Sequence, residues 1–305
     1  MSWILILEQS LNGLQFGLML FLLAAGLTLV FGIMDMINLA HGSLYMLGAF
    51  IASTLVQATG SFIAGVLLAI PATAVLGMVL EISILRTLYE RDHLSQVLAT
   101  FALILILNEV VRLVWGSDAP LSMPGQLSGP VELLPGLMYP SYRLVIIGIG
   151  LLVAFLLFFL VTRTRVGMLV RAGASNREMA LAMGVNIRTL FTCVFGVGAA
   201  LCAVAGAMLA PLLAVQVGMG ENILILAFVV IVIGGIGSIR GALVGSLLVG
   251  VVDTIGRAFL PILFGAFLPP QFASAAGPAI ASVMIYLLMA VVLYFRPQGL
   301  FPARG

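Results

Sequence analysis

The stretch "NGLQFGLMLFLLAAGLTLVFGIMDMINLAHGSLYMLGAF", Asn12–Phe50, decides the class of fold. From Gly13 to Met34 it carries no charged side chain, and a run of about 20 apolar residues is what a helix needs to cross hydrocarbon. An acid, an amide and an imidazole then follow at equal spacing, Asp35, Asn38 and His41, before the apolar chain resumes. On a continuous helix these three would share one face. Gly32 and Gly42 flank them, however, as expected where a spanning helix stops and restarts and its freed backbone groups need partners. The stretch is therefore read as one span, a polar break and the start of a second span.

Composition agrees with a lipid setting. Of 305 residues, 63% are hydrophobic and 8% charged, against roughly 25% charged in a soluble domain. Only helices and closed barrels satisfy their backbone groups in lipid, and continuous apolar runs are not the alternation of barrel strands. The expected fold class is all-α: a single membrane-embedded domain over 1–305, a polytopic bundle of roughly 8–10 spans with at least one broken helix. All 13 basic residues are Arg. Without Lys there is no Walker A P-loop and no Schiff-base chemistry. Cys193 and Cys202 are nine residues apart, which points them to opposite sides of a helix, so they are read as packing residues rather than a disulfide. The N-terminal "MSWILILEQS" lacks a basic n-region and is not expected to be a cleaved signal peptide.

Apolar runs fall at about 10–32, 42–58, 61–85, 95–115, 143–161, 189–213, 222–237, 241–260 and 277–295. Two hydrophilic stretches orient them. Thr162–Arg188 carries Arg163, Arg165, Arg171, Arg177 and Arg188 against the single acid Glu178, and the positive-inside rule puts it in the cytoplasm. Counting outward places Arg86, Arg91, Arg296 and Arg304 inside too, with the Pro- and Gly-rich loop 116–141 and the N-terminus outside. Small residues recur at packing spacing: Ala199, Ala203 and Ala207; Gly198, Cys202 and Gly206; Gly241 and Gly245. Such stripes let helices approach closely, within a bundle or at a dimer face. "NLAHGSLYMLGAF" and "GSIRGALVGSLLVG" share a polar break before a Gly-led helix, a faint sign of a duplicated half.

Within the Arg-rich stretch, Ser175 and Glu178 form an S-x-x-E capping box and Gly184 suits a left-handed helix end. A helix over about 175–184 is expected, and two turns do not hold in water alone. It must dock on something. Ser175, Asn176, Arg177, Glu178, Met179, Ala180, Met183 and Gly184 are the residues assigned to that contact, with Met179, Ala180 and Met183 as its apolar face.

Here the chain resembles a known family. A short cytoplasmic helix with this Gly motif between spans is the pattern of an ABC-transporter permease. The fuller match is to permeases of the high-affinity branched-chain amino acid uptake family, specifically the shorter of its two permease subunits. The segments that carry it are 12–50, "TRTRVGMLVRAGASNREMALAMGVN" at 162–186, "VIGGIGSIRGALVGSLLVG" at 232–250 and "YFRPQGLF" at 294–301. The resemblance implies a bacterial inner-membrane importer that couples ATP hydrolysis to uptake of branched-chain or related hydrophobic amino acids. Its expected partners are a second homologous permease, two cytoplasmic ATPases and a periplasmic binding protein, in a lipid bilayer and with no nucleic acid. No cofactor is expected on this chain; ATP and Mg belong to the ATPases.

Charges inside the spans read as pairs: Asp253 with Arg257, Glu109 with Arg112, and Glu81 near Arg86. They anchor packing or line the outer mouth of a path. "QVGMGEN", Gln216–Asn222, reads as a solvated outer turn, with docking of a binding protein as the alternative. Two His, no HExxH and no GxSxG leave no catalytic or metal constellation. Asp35, Asn38, His41 and Gly42 are assigned to an inner gate or translocation path, with direct solute contact and a proton relay as alternatives. The rival functions are an importer of urea, amides or another small solute; an ion-coupled carrier using Asp35, Glu109 or Asp253; and an intramembrane enzyme.

Overall fold

The computed structural model describes residues 3–267 and 269–301. Each apolar run becomes one helix. In chain order these are α1 (Trp3–Met34), α2 (His41–Thr59), α3 (Phe62–Ser83), α4 (His93–Trp115) and α5 (Ser141–Arg163). Two short helices follow, α6 (Arg165–Ser175) and α7 (Arg177–Ala182). The chain closes with α8 (Ile187–Leu213), α9 (Met219–Gly234), α10 (Ile239–Phe264) and α11 (Pro270–Phe295). Among the described residues eight helices are long and apolar enough to cross a bilayer, and α9, at 16 residues, is a shorter ninth. Side chains cap several starts: Ser61 accepts from the Ala64 amide, Asp92 from that of Ser95 and Ser238 from that of Gly241, each supplying a partner to an otherwise orphan donor.

Contacts sort the helix ends into two sets. At one end, β1 (Asp118–Ala119) and β4 (Val215–Gln216) pair antiparallel, so the 116–141 stretch meets the segment after α8. There β2 (Pro130–Leu134) and β3 (Leu137–Pro140) form a hairpin whose Gly136 faces Ile4 of α1, and Ser53 of α2 donates to the Pro120 carbonyl at 2.7 Å. At the other end lie Arg86, α6 and the start of α8: Arg86 donates to Thr192, and Gly173 sits against Ile33. The amides of Leu300 and Phe301 donate to the carbonyls of Ile233 and Gly234, each at 2.9 Å, which brings the tail to the same end. The chain alternates between this basic end and the hairpin end through nine helices, with Trp3 at the hairpin end. Arg304 lies outside the described residues.

Two helices start within the bundle. His41 at the head of α2 packs against Gly26 of α1 and Gly198 of α8. Gly42 and Gly220 touch backbone to backbone, and Met46 Sδ accepts from the Gly218 amide at 3.4 Å. The first turns of α2 and α9 therefore meet in the interior, after breaks at 35–40 and 214–218. Both breaks open with a non-glycine residue at positive φ, Asp35 (50°) and Ala214 (64°). The likeness extends to packing: α1 lies on α10 as α8 lies on α3, and α2 lies on α8 as α9 lies on α1. α1–α3 and α8–α10 form an inverted pair of three-helix units. The sequence parallel between 38–50 and 237–250 misplaced the second copy. α10 follows a tight turn at the basic end, Gly235 and Gly237 both at positive φ, whereas the counterpart of the 35–40 break is 214–218.

The small-residue stripes hold this bundle together from inside. Gly48 meets Ala203, Gly206 meets the Tyr45 carbonyl, Gly77 meets Ala199 and Gly241 meets Gly234. Both stripes of α8 are consumed within the chain, so neither is a dimer face. Of the spanning windows of α1 and α8, 83% of residues are buried, against 11% for α11. The centre is thus α1, α2 and α8, and α11 stands at the rim.

Candidate functional site

The polar break does not place its three residues on one helical face. Asp35 is exposed at the basic end, and its amide still donates to the Phe31 carbonyl at 3.0 Å. Asn38 is fully buried; its Oδ1 accepts from the Ala40 amide at 3.0 Å, and its Nδ2 has no partner among the described residues. His41 is fully buried with Nε2 3.1 Å from Cys202 Sγ. The six residues 35–40 cannot be helical because they carry the chain from the end of α1 back up to the level of Gly26. Asn38 caps that return locally, and Gln96 Oε1 of α4 accepts from the Ile37 amide at 3.4 Å. Gly42 completes it, since any side chain there would strike Gly220.

A cleft of about 900 Å³ opens at the hairpin end. α1 contributes Glu8, Asn12 and Gln15, α10 Asp253 and Arg257, α5 Arg143, and α9 Asn222 and Ile223, with Tyr45 of α2 behind them. The Asp253–Arg257 pair expected from its spacing forms at 2.7 Å, and Arg257 also donates to Ser282 at 3.0 Å. Asn12 Oδ1 accepts from both Tyr139 and Arg143. Asn12, Gln15, Arg143 and Asn222 are absent from the sequence-derived set. One signal was available: Glu8, Asn12 and Gln15 recur at i, i+4 and i+7, a polar stripe on an otherwise apolar span. Glu221 is exposed, as a solvated outer turn requires, but it already belongs to a helix. "QVGMGEN" is the second break and the first turn of α9, where Asn108 donates to Glu221 at 2.8 Å.

At the basic end the short helix exists, with other boundaries and another cap. Ser175 ends α6 and forms no capping box. The cap of α7 is Asn176, whose Oδ1 accepts from the Met179 amide at 2.8 Å. Asn binds its own backbone two or three residues on as readily as Ser does, so the two candidates were indistinguishable by pattern. α7 spans six residues, and Gly184 follows at φ 84°. Its apolar residues divide: Ala180 is buried toward the chain, while Met179 and Met183 are 61% and 79% exposed. Glu178 is exposed, and the side chain of Arg177 lies outside those described. α6 had no counterpart in the sequence reading, although Val170 and Gly173 seat it on the bundle.

Behind α7, Glu81 is fully buried and ties three elements together. It accepts from Arg86 at 3.2 and 3.0 Å, from Tyr89 at 2.7 Å and from Thr192 at 2.7 Å. The carboxylate hydrogen bond holds the Arg86 guanidinium still further above its usual range. By contrast Glu109–Arg112, at 2.8 Å, is exposed on α4. No group of three or more His, Cys, Asp or Glu able to hold a metal occurs among the described residues.

A multi-pass helical bundle built from inverted units, with broken helices meeting in its interior, is the architecture of a membrane transport protein. The chain belongs to the family described as the permease component of the branched-chain amino acid transport system, whose model matches residues 9–293. It is 32% identical over 307 aligned positions to the high-affinity branched-chain amino acid transport system permease protein BraD of Pseudomonas aeruginosa, covering 96% of this chain and 95% of BraD. It is 29% identical to the corresponding permease LivH of Escherichia coli K12, covering 83% of this chain and 87% of LivH. A probable LivH of Methanocaldococcus jannaschii is 27% identical, covering 81% and 80%. No solved structure matches it.

Proposed function

We propose that this chain is the membrane-spanning permease of a bacterial inner-membrane importer for branched-chain and related aliphatic amino acids. The family match over residues 9–293 carries this reading. ATP is hydrolysed on two separate cytoplasmic ATPases, which hold the ATP and Mg; a second, homologous permease and a periplasmic binding protein complete the importer. The basic end faces the cytoplasm, in line with the positive-inside rule, and the hairpin end receives the binding protein.

In this reading α7 is the contact with the ATPase. Six helical residues cannot hold their own structure in water, and Met179 and Met183 project apolar surface beyond the bundle. Movement of α7 reaches the core through the start of α8, where Glu81, Arg86 and Thr192 are joined. The break at Asp35–Gly42 is the inner gate, a role supported by the start of α2 inside the bundle, against Gly26, Gly198 and Gly220. An ion-coupled carrier is disfavoured, because Asp35 and Glu109 are exposed and a lone cation taken up at Asp253 would leave Arg257 without its counter-ion.

Reconstitution tests the reading. Vesicles holding this chain, its permease partner, both ATPases and the binding protein take up leucine only when ATP is enclosed on the ATPase side. Uptake driven by an ion gradient through this chain alone would overturn it.

A further inference from the structure

We propose that the hairpin-end cleft is the seat in which the permease receives its cargo, an α-amino acid in zwitterionic form with an aliphatic side chain. The inference rests on the importer reading and goes beyond it by assigning the seat and the groups that hold the solute.

Position comes first. The cleft is open at the hairpin end, and Tyr45, Met219 and Ile223 line it, residues of the first two turns of α2 and α9. Its inner end is therefore the place where the two broken helices meet. A solute resting there stands directly above the Gly42–Gly220 contact, at the head of a route between the inverted units.

The charges indicate what kind of solute. Glu8, Arg143, Asp253 and Arg257 are the ionisable acids and bases lining the cleft, two of each sign. Arg143 is held by Asn12, and Arg257 by Asp253 at 2.7 Å. A lone anion drawing Arg257 from Asp253, or a lone cation drawing Asp253 from Arg257, would leave the other member of the pair unpaired and partly desolvated. A zwitterion brings both signs at once: its carboxylate meets a guanidinium while its ammonium meets Asp253 and the Asn12 amide oxygen. An uncharged amide would use neither pair.

The remaining wall is apolar. Phe16, Leu209, Leu212, Ile223 and Leu226 come from α1, α8 and α9, and aliphatic surface buried there leaves water at about 25 cal/mol per Å². At about 900 Å³ the cleft is at the upper end of the roughly 300–1,000 Å³ typical of ligand pockets. A single amino acid shares it with water. That looseness suits a site of passage, which must release what it receives.

The test uses the complete reconstituted importer and leucine. Leu209→Trp, which fills the apolar wall, is expected to lower uptake about tenfold or more, and Asp253→Asn to raise the KM for leucine by a similar factor, with Asp253→Glu restoring most of it. In parallel, Asn222→Cys is labelled with a membrane-impermeant maleimide from the hairpin side, and leucine-loaded binding protein is expected to slow that labelling. Wild-type uptake combined with unchanged uptake in Leu209→Trp, or with labelling of Asn222→Cys that leucine does not slow, overturns the cleft assignment alone. Absence of leucine uptake by the wild-type complex overturns the importer reading, and the cargo assigned to the cleft with it.

Discussion

Gly42 and Gly220 touch backbone to backbone at the point where the two broken helices begin, and each excludes a side chain on the other. They are 178 positions apart, so neither sequence neighbourhood reveals what its glycine must meet. Either residue changed to Ala is expected to cost about 1–3 kcal/mol through overpacking and to lower the melting temperature in detergent. Gly148→Ala is the control: nothing lies near its added methyl, and Ala favours a helix by about 1 kcal/mol over Gly. If all three variants melt alike, the interior contact does not exist.

Glu81 is the one fully buried acid among the described residues, with three partners, two in the segment joining α3 to α4 and one on α8. Removing one side of a buried pair leaves the other uncompensated. Because Arg86 keeps 32% exposure, Glu81→Ala should cost about 2–4 kcal/mol, below the roughly 3–5 kcal/mol of a fully enclosed pair. Arg86→Leu should be at least as damaging, since it strands the buried carboxylate. Chemical denaturation of the purified permease measures both.

Asn176, not Ser175, caps α7. Asn176→Ala should therefore remove about 1 kcal/mol of local stability while Ser175→Ala changes little. In the importer, Asn176→Ala and Gly184→Val, which forces a β-branched residue to φ 84°, are expected to raise the ATP hydrolysed per leucine imported. An unchanged ratio in both removes α7 from the coupling route. Equal effects of Ser175→Ala and Asn176→Ala would restore the capping box.

The spans were legible because hydrophobic runs of about 20 residues have one solution in lipid. The break at 35–40 was legible as well, since Asp35, Asn38 and His41 interrupt such a run between two glycines. Its partner at 214–218 read only as an outer turn, because "LLAVQVGMG" contains no charge to mark it as a second break inside the bundle. Hydropathy reports that a segment is apolar, not the depth at which its helix begins. For the same reason α9 read as an ordinary span. The cleft was hidden differently: Asn12 and Arg143 come together across 131 positions, and only the α1 stripe was local. α6 and the 130–140 hairpin were missed because Arg-rich and Pro-rich stretches read first as loops.

Cys202 and Cys193 give a direct reading of how tightly α8 is held. Cys202 is buried with its Sγ 3.1 Å from His41 Nε2, whereas Cys193, on the same helix, is exposed. A membrane-permeant maleimide should label one thiol per folded chain, at Cys193, and unfolding should release the second. His41 fills the space beside Cys202, between Gly26 and Gly198, so His41→Ala leaves a cavity that the flanking glycines have no side chains to fill. Cavity formation of this kind costs about 2–5 kcal/mol and admits small molecules. The variant should therefore lower the melting temperature and bring Cys202 into reaction while the chain is still folded. Mass spectrometry of the labelled peptides separates the two sites. If Cys202 labels at the rate of Cys193 in the wild type, His41 does not seal the junction of α1, α2 and α8. If it remains silent in His41→Ala, the wall beside it is built from other residues.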